Sequence, residues 1–293
     1  MLSLIVNPSA GDGRAGRALA DVCRALSELG LEHSVQQTTS LEHARELARA
    51  AAGSGEIAAA LGGDGLIGAV ADGLKHTDGV LGVLPGGRGN DFARTLGIPL
   101  EPERACRVLA DGEVRQLDLG EVGTTTFIGI ASCGFDSEAN RIANDTKLMR
   151  GNLVYVYGAL RALAGWKPTK FGVTVDDGEV RTRTGYTVAA ANSKAYGGGM
   201  YMAPDASLED GLLDVVIVGH VPKLRFLRLL PTVFKGAHIR QPNVEVLRAR
   251  EVQISADRPF TMYADGDPVA ELPVTVRALQ GAVRVMVPKV REF

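Results

Sequence analysis

The stretch Glu56-Ile-Ala-Ala-Ala-Leu-Gly-Gly-Asp-Gly65 is an apolar run that stops on three glycines and one aspartate. A short apolar run bounded by a turn signal reads as a strand buried on both faces, the kind found in parallel sheets. Apolar residues at helical spacing follow over residues 66–74. The same unit occurs on either side: Leu2-Ser-Leu-Ile-Val6 runs into Asn7-Pro-Ser-Ala-Gly-Asp-Gly13, and residues 80–84 run into Pro85-Gly-Gly-Arg-Gly-Asn-Asp91. Between them, Leu19, Val22, Cys23, Leu26 and Leu29 keep helical spacing up to Gly30. Residues 32–37 read as a second strand, and 40–52 as a second helix with Leu41, Ala44, Leu47 and Ala48 inward. Strand and helix alternate, so residues 1–120 are predicted to form a parallel sheet with helices on both faces.

Past residue 120 the pattern changes. After a helix near 137–163 come short β-rich runs at 171–175, 182–191, 213–218, 243–248, 251–255, 259–264, 272–278 and 282–287. Leu272, Val274 and Val276 alternate with other residues, as do Val283, Val285 and Val287. Pro273 limits the first of these runs to a sheet edge or to a start after it. An all-β antiparallel sandwich is expected over 121–287. No Pro- or Ser-rich linker marks the boundary, so the two domains should pack closely.

The 293 residues are 45% apolar and 23% charged, an ordinary globular composition. Lys and Arg number 32 against 34 Asp and Glu, a net charge of −2 that speaks against a nucleic-acid partner. Cys23, Cys106 and Cys133 form neither a metal spacing nor a disulfide pattern, which suits a reducing compartment. The first residues enter a strand without a basic leader, so no signal peptide is expected. No apolar run reaches the roughly 18 residues that span a bilayer. Glycine is the outlier, with 36 residues.

In an open parallel sheet the loops after the strands share one edge, where ligands bind. Glycines there let backbone N–H groups face an anion, aided by the N-terminus of the next helix. Three such loops point to a phosphate-type site; the alternative is three tight strand–helix turns. Gly11-Asp-Gly-Arg-Ala-Gly16 has the spacing of a dinucleotide loop. It starts too far from the strand, however, and the second strand ends at Gln37 without the acidic residue that holds a ribose. Asp64, at a strand end between glycines, suits a cation or a hydroxyl, or else caps the third helix. Asn90 and Asp91 pose the same choice, with capping favoured for Asp91. Asp265-Gly-Asp267 suits Mg²⁺ or a general base, or else a hairpin turn.

Together Asn7-Pro-Ser-Ala-Gly11, Gly62-Gly-Asp-Gly65, Gly89-Asn-Asp-Phe-Ala-Arg-Thr-Leu-Gly97, Gly197-Gly-Gly199, Ala203-Pro204, Asp210-Gly-Leu-Leu-Asp214 and Asp265-Gly-Asp267 resemble the diacylglycerol kinase catalytic family. This group of bacterial lipid kinases is related to sphingosine and NAD kinases. The resemblance implies a Rossmann-like α/β N-terminal domain and a β-sandwich, with the active cleft between them and the C-terminal segment 288–293 returning to the first domain. It implies ATP as donor and Mg²⁺ as the ion. The implied nucleotide contacts are Asn7, Pro8, Ser9, Ala10, Gly11, Thr38, Gly62, Gly63, Asp64, Gly65, Leu66, Ile67, Gly68, Arg88 and Asn90. The implied structural Mg²⁺ site is the Asp210 carboxylate with the carbonyls of Ser207 and Leu212. Asp267 takes the place of the family's usual Glu as proton acceptor, with Asp64 and Asp265 helping to hold metal and orient attack. Leu66, Gly68, Ala69 and Arg88 also depart from the family's pattern.

The implied acceptor is a lipid alcohol such as diacylglycerol, met at a membrane surface by a cytoplasmic protein that visits the inner membrane transiently. Residues 152–163 and 222–240 combine apolar and basic side chains. They suit either peripheral membrane contact or core helices with a solvated basic face. Trp166 suits an interfacial anchor or a packed residue. An NAD kinase-like enzyme with a soluble acceptor and a catalytically silent nucleotide- or lipid-binding regulator are the rival readings. An edge-strand homodimer is left open.

Overall fold

Strands β1 (Leu2–Val6), β3 (Ile57–Gly62) and β4 (Val80–Pro85) are apolar because both their faces are covered. Strand β2 (His33–Gln37) is polar because it forms the exposed edge. The computed structural model describes residues 1–145 and 152–289. Its first sheet has the parallel order β2-β1-β3-β4. The chain leaves β1 towards β2 on one side and β3 on the other, so the loops after β1 and β3 flank a topological switch point. Helix α1 (Ala10–Glu28) starts well before the apolar spacing of its second half suggests. The side chain of Asn7 accepts the Ser9 N–H at 3.0 Å and Ala10 N–H donates to the Asn7 carbonyl at 3.0 Å, and this turn launches the helix. Helix α2 (Leu41–Gly53) is capped by Ser40, whose hydroxyl accepts from His43 N–H at 3.0 Å. Helix α3 (Asp64–Leu74) follows β3 directly.

Two helices went unassigned in the sequence: α4 (Asp91–Thr95), too short for a periodic signal, and α5 (Pro102–Asp111), with Pro in its first turn. Strand β5 (Glu113–Val122) then leads into β6 (Thr125–Phe127) and β7 (Ile130–Gly134). The expected helix near 137–163 is two helices, α6 (Phe135–Asp145) and α7 (Asn152–Gly165). They are followed by β8 (Thr169–Val175), β9 (Arg181–Ala191), β10 (Leu213–Gly219), α8 (Lys223–Leu229) and two short 3₁₀ turns, Leu230–Lys235 and Ala237–Arg240. The chain closes with β11 (Val244–Ala249), β12 (Glu251–Ala256), β13 (Thr261–Ala264), β14 (Asp267–Glu271) and β15 (Val274–Val287).

The runs 272–278 and 282–287 are thus one strand, starting after Pro273. Its first half pairs antiparallel with β12 in the sandwich, and Arg284 and Val285 pair parallel with β4. The return to the first domain is made by this strand, before residue 288; residues 290–293 lie outside the described part. The sandwich curls around a core that includes Val188, Val215, Ile217, Val252, Ile254, Met262 and Val276. Trp166 is buried against Phe135 and Tyr186, so it packs rather than projects.

Strand β5 runs antiparallel to β15 across both domains. Residues 113–117 face 283–287 and 119–122 face 276–279, leaving 280–282 looped out opposite Asp118. The Asp118 carboxylate is buried and fills that break. Its oxygens accept from Gly281 N–H and Gly211 N–H, each at 2.7 Å. Burial raises its carboxyl above the usual range, against the lowering by these two bonds. Asp118→Ala should leave two buried N–H groups unpaired. A loss of about 2–4 kcal/mol of stability is expected, read as a lower urea midpoint; an unchanged midpoint would show that the break is held by other contacts.

Candidate active site

The three glycine loops meet backbone to backbone at the carboxyl edge of the parallel sheet. Gly86 N–H donates to the Gly62 carbonyl at 2.7 Å. A Cβ placed on Gly87 would lie 2.4 Å from Gly63 Cα, too close for any side chain. Gly11 has φ +61°, and a Cβ there would lie 2.5 Å from the Gly86 carbonyl oxygen. The edge is therefore bare peptide, the surface on which a phosphate can approach N–H groups closely. Asn90, at φ +52° and buried, locks the third loop: its Oδ1 accepts from Gly87 N–H at 2.9 Å and its Nδ2 donates to the Gly87 carbonyl at 3.3 Å.

Carboxylates converge on this edge. Asp64 does not cap its own helix, whose N-cap is Gly63. Its two oxygens instead accept from Asp91 N–H and Phe92 N–H, each at 3.1 Å, so it caps α4. Asp91 is not the cap expected for that helix either. Its carboxylate crosses to the second domain, where Oδ2 accepts from Gly198 N–H at 2.7 Å. Asp91 Oδ1 is buried with no hydrogen-bond partner. Gly89 sits among these groups: a Cβ on it would lie 3.1 Å from Asp91 Oδ2, 3.4 Å from Asp64 Oδ2 and 3.4 Å from Gly198 N.

Asp265 and Gly266, at φ +49° and +96°, form the tight hairpin turn between β13 and β14. The turn also presents chemistry. Asp265 Oδ2 accepts from Ile128 N–H at 2.8 Å, and Oδ1 accepts from Gly129 and Ile130 N–H at 2.9 and 3.1 Å. Burial pushes its carboxyl up to about 7, with the charge of Asp64 adding to the shift against these lowering bonds. Burial likewise raises Asp91, again with Asp64 adding. Three like charges thus share one cleft. Gly68 of α3 closes it from the first domain, where a Cβ would lie 3.9 Å from Asp265 Oδ2. Asp267 is exposed at the start of β14, and Asn140 holds the turn by donating to the Gly266 carbonyl at 3.0 Å.

Other expected contacts are placed differently. Leu66 and Ile67 are buried core residues whose N–H groups donate to the Gly63 carbonyl. Thr38 is buried at the end of β2, with its hydroxyl on the Ser40 carbonyl at 2.6 Å. Arg88 is exposed beside Gly87 and Gly89. Ser207, Asp210 and Leu212 lie together next to Asp118. Asp210 Oδ1 accepts from Leu212 N–H at 3.1 Å, and Asp210 Oδ2 is 3.7 Å from the Arg248 guanidinium. Among the described residues no three His, Cys, Asp or Glu side chains converge closely enough to hold a metal by themselves.

The sequence reading gave no role to Asp118 or Gly198 and treated Asp91 as a cap. For Gly198 a signal was present in the run of three consecutive glycines, all of which have positive φ in the structure. For Asp118 there was none, since its partners are 93 and 163 residues away.

Comparisons with known proteins give the family and the fold. Residues 1–122 match the diacylglycerol kinase catalytic domain, and 129–287 match the YegS C-terminal NAD kinase beta sandwich-like domain. Diacylglycerol kinase of Bacillus subtilis (strain 168) is 32% identical over 295 residues, covering 98% of this chain and 96% of that protein. Diacylglycerol kinase of Mycobacterium tuberculosis (strain H37Rv) is 34% identical over 222 residues, 74% of this chain and 72% of that protein. A crystal structure of a diacylglycerol kinase from Bacillus anthracis has a TM-score of 0.74 at 21% identity, covering 98% of this chain and 96% of that one. An NAD kinase from Archaeoglobus fulgidus in complex with ATP has a TM-score of 0.54 at 15% identity, covering 99% and 94%. These last two likenesses are of fold.

The Asp265 carboxyl should titrate near neutral pH in metal-free buffer, followed by NMR of ¹³C-labelled aspartate. Asp64→Asn should move that midpoint down by removing a like charge. The folded chain then keeps a proton that the unfolded chain has shed above about pH 4. The stability this group contributes is therefore lost as pH rises from about 4 to 7, and denaturant midpoints should fall over that window. An Asp265 midpoint below 5 would rule this out.

Proposed function

The chain belongs to the diacylglycerol kinase family, and on that premise we propose that it transfers the γ-phosphate of ATP to the hydroxyl of a lipid alcohol such as diacylglycerol, with Mg²⁺, in the cleft between its domains. The observation that carries this reading is the meeting of Asp64, Asp91 and Asp265 at a glycine-lined sheet edge, with one buried Asp91 oxygen left without a partner. Like charges held together in this way favour a cation, and hard carboxylate oxygens fit Mg²⁺. Mg²⁺ is usually held by one or two carboxylates and the substrate's own phosphates, so the absence of a closed ligand cage among the described residues accords with it. When bound with nucleotide, Mg²⁺ would supply charge neutralisation on the phosphate oxygens.

The roles of the chain's own residues follow. Backbone of the Asn7–Gly11 and Gly62–Gly68 loops lines the nucleotide phosphates, chiefly at Gly11, Gly63, Asp64 and Gly65, because the N–H groups of Ser9, Ala10, Leu66 and Ile67 are bonded within their own turns, and Arg88 adds a cation beside the third loop. Thr38 borders the site through its backbone. Asp64 fixes the start of α4 and so aims Asp91. Asp265, anchored by three N–H groups, sets the turn that carries Asp267. Asp267 takes the proton from the acceptor hydroxyl at its carboxylate. Ser207, Asp210 and Leu212 form a separate cation site beside Asp118. The site works at the cytoplasmic face of the inner membrane, which the protein visits rather than spans; no helix among the described residues is long and apolar enough to cross a bilayer.

The test is transfer of labelled γ-phosphate from ATP with Mg²⁺ to mixed micelles holding a panel of lipid alcohols, with NAD in a parallel tube. Label in one lipid is expected. Label in NADP instead would move the protein to a soluble acceptor, and ATP binding without transfer to any acceptor would favour a silent regulator. Asp267→Ala should reduce turnover by about 10²-fold or more while ATP affinity and the melting curve stay unchanged. Full activity in that variant would remove Asp267 from the chemistry.

A further inference from the structure

From Val215 to Val244 the chain runs for 30 residues without one Asp or Glu, although its overall net charge is −2. The same stretch holds Lys223, Arg225, Arg228, Lys235 and Arg240, all exposed. Within it, α8 turns one face inward and one outward. Phe226 stacks on Tyr186 with ring centroids 3.9 Å apart, and Leu230 packs in the same aromatic cluster. Lys223 Nζ donates to the Ala164 carbonyl at 2.8 Å, which pins the start of α8 to the end of α7. On the opposite face, Leu224 and Leu227 are one turn apart and 74% and 42% exposed. Arg228 follows Leu224 by four residues, so it shares that face. Phe234, in the next turn of chain, is 55% exposed. Among the described residues, Arg225, Arg228, Lys235 and Arg240 enter no ion pair with a carboxylate.

We infer that α8 and the 3₁₀ turn after it are the face by which this protein docks on an anionic lipid bilayer. Exposed Leu and Phe side chains ringed by unpaired cations suit the boundary between headgroups and acyl chains. Each basic residue near an anionic leaflet adds attraction that falls off within a Debye length. Exposed leucines give nothing to a nucleic-acid backbone, so a lipid surface fits this patch better than another polyanion. The face is also joined to the cleft. Tyr201 N–H donates to the Val233 carbonyl at 3.0 Å, and Tyr201 follows the Gly197–Gly199 loop that meets Asp91. Docking is argued from charge and exposure, and only its use in bringing a lipid acceptor to the cleft rests on the kinase reading.

The intact protein, without ATP, is sedimented with vesicles of phosphatidylcholine alone and of phosphatidylcholine mixed with phosphatidylglycerol. Co-sedimentation is expected with the mixed vesicles, weakening as salt is raised. Arg225→Gln with Arg228→Gln should weaken it roughly 25-fold, since each cation is worth a factor of about five. Leu224→Ser with Phe234→Ser should weaken it as well. These side chains are exposed, so melting curves should not move, and phosphoryl transfer to a water-soluble short-chain acceptor should be unchanged. Wild-type protein that stays in the supernatant, or that binds both vesicles equally, overturns the proposal, as does an arginine double variant that sediments like wild type. Salt-sensitive vesicle binding in a protein that phosphorylates no acceptor would uphold the surface while sinking the kinase reading.

Discussion

Strands β5 and β15 belong to both domains at once, and the cleft depends on that pair. Their upper halves pair with each other and extend the parallel sheet, while their lower halves enter the sandwich. Two domains joined by a flexible linker would meet at a variable angle. Here the angle is set by a hydrogen-bonded ribbon, and the only break in its register is filled by the Asp118 carboxylate. A buried ionisable group is an expensive filler, and burial raises the Asp118 carboxyl above the usual range. It is tolerable because two backbone N–H groups at the break need an acceptor, and no other side chain supplies one to both.

The same economy of backbone donors organises the carboxylates of the cleft. Asp64 is held by two N–H groups of α4, Asp265 by three N–H groups of residues 128–130, and Asp91 by Gly198. Each anion is thus held in place by peptide N–H groups. Dipoles orient a carboxylate without cancelling its charge. The negative potential therefore remains in the cleft, and burial with mutual repulsion raises Asp91 and Asp265. A cluster neutralised by arginines would have less need of a metal-bound nucleotide. Asp91 matters twice, because one of its oxygens ties the domains together while the other is buried without a partner.

The first sheet was legible because its strands are buried on both faces and its loops are rich in glycine, both local properties. The start of α1 was hidden because Gly11 and Gly13 look like loop, and what decides the matter is the hydrogen bond from Ser9 N–H to the Asn7 side chain. Strand β15 was read as two runs because the interruption at 280–282 looks like a turn, whereas it is a break made good by a residue 163 positions away. At the site, Asp64, Asp265 and Asp267 stood out beside glycines. Their hydrogen-bond partners did not, because Asp64 caps a helix 27 residues on and Asp265 serves a segment 135–137 residues before it. Leu66 and Ile67 came in with the glycine motif, but apolar side chains at the start of a helix under a parallel sheet belong to the core. Resemblance supplied a list of positions; geometry sorted those with free backbone from those with committed side chains.

The Gly197–Gly199 loop shows how cleft and surface are mechanically linked. All three glycines have positive φ, which a side chain would resist. That conformation aims Gly198 N–H at Asp91 and leads to Tyr201, whose N–H is bonded to the 3₁₀ turn that carries Phe234. Further along, a Cβ on Gly236 would lie 2.8 Å from Pro204, so that turn packs hard on the same segment. The exposed basic and apolar face is therefore held in a constant position relative to the carboxylates, with no long flexible stretch between them. A protein docked by that face would hold its cleft at a set height and tilt above the bilayer, which is what delivery of an acceptor from a membrane to a buried site requires.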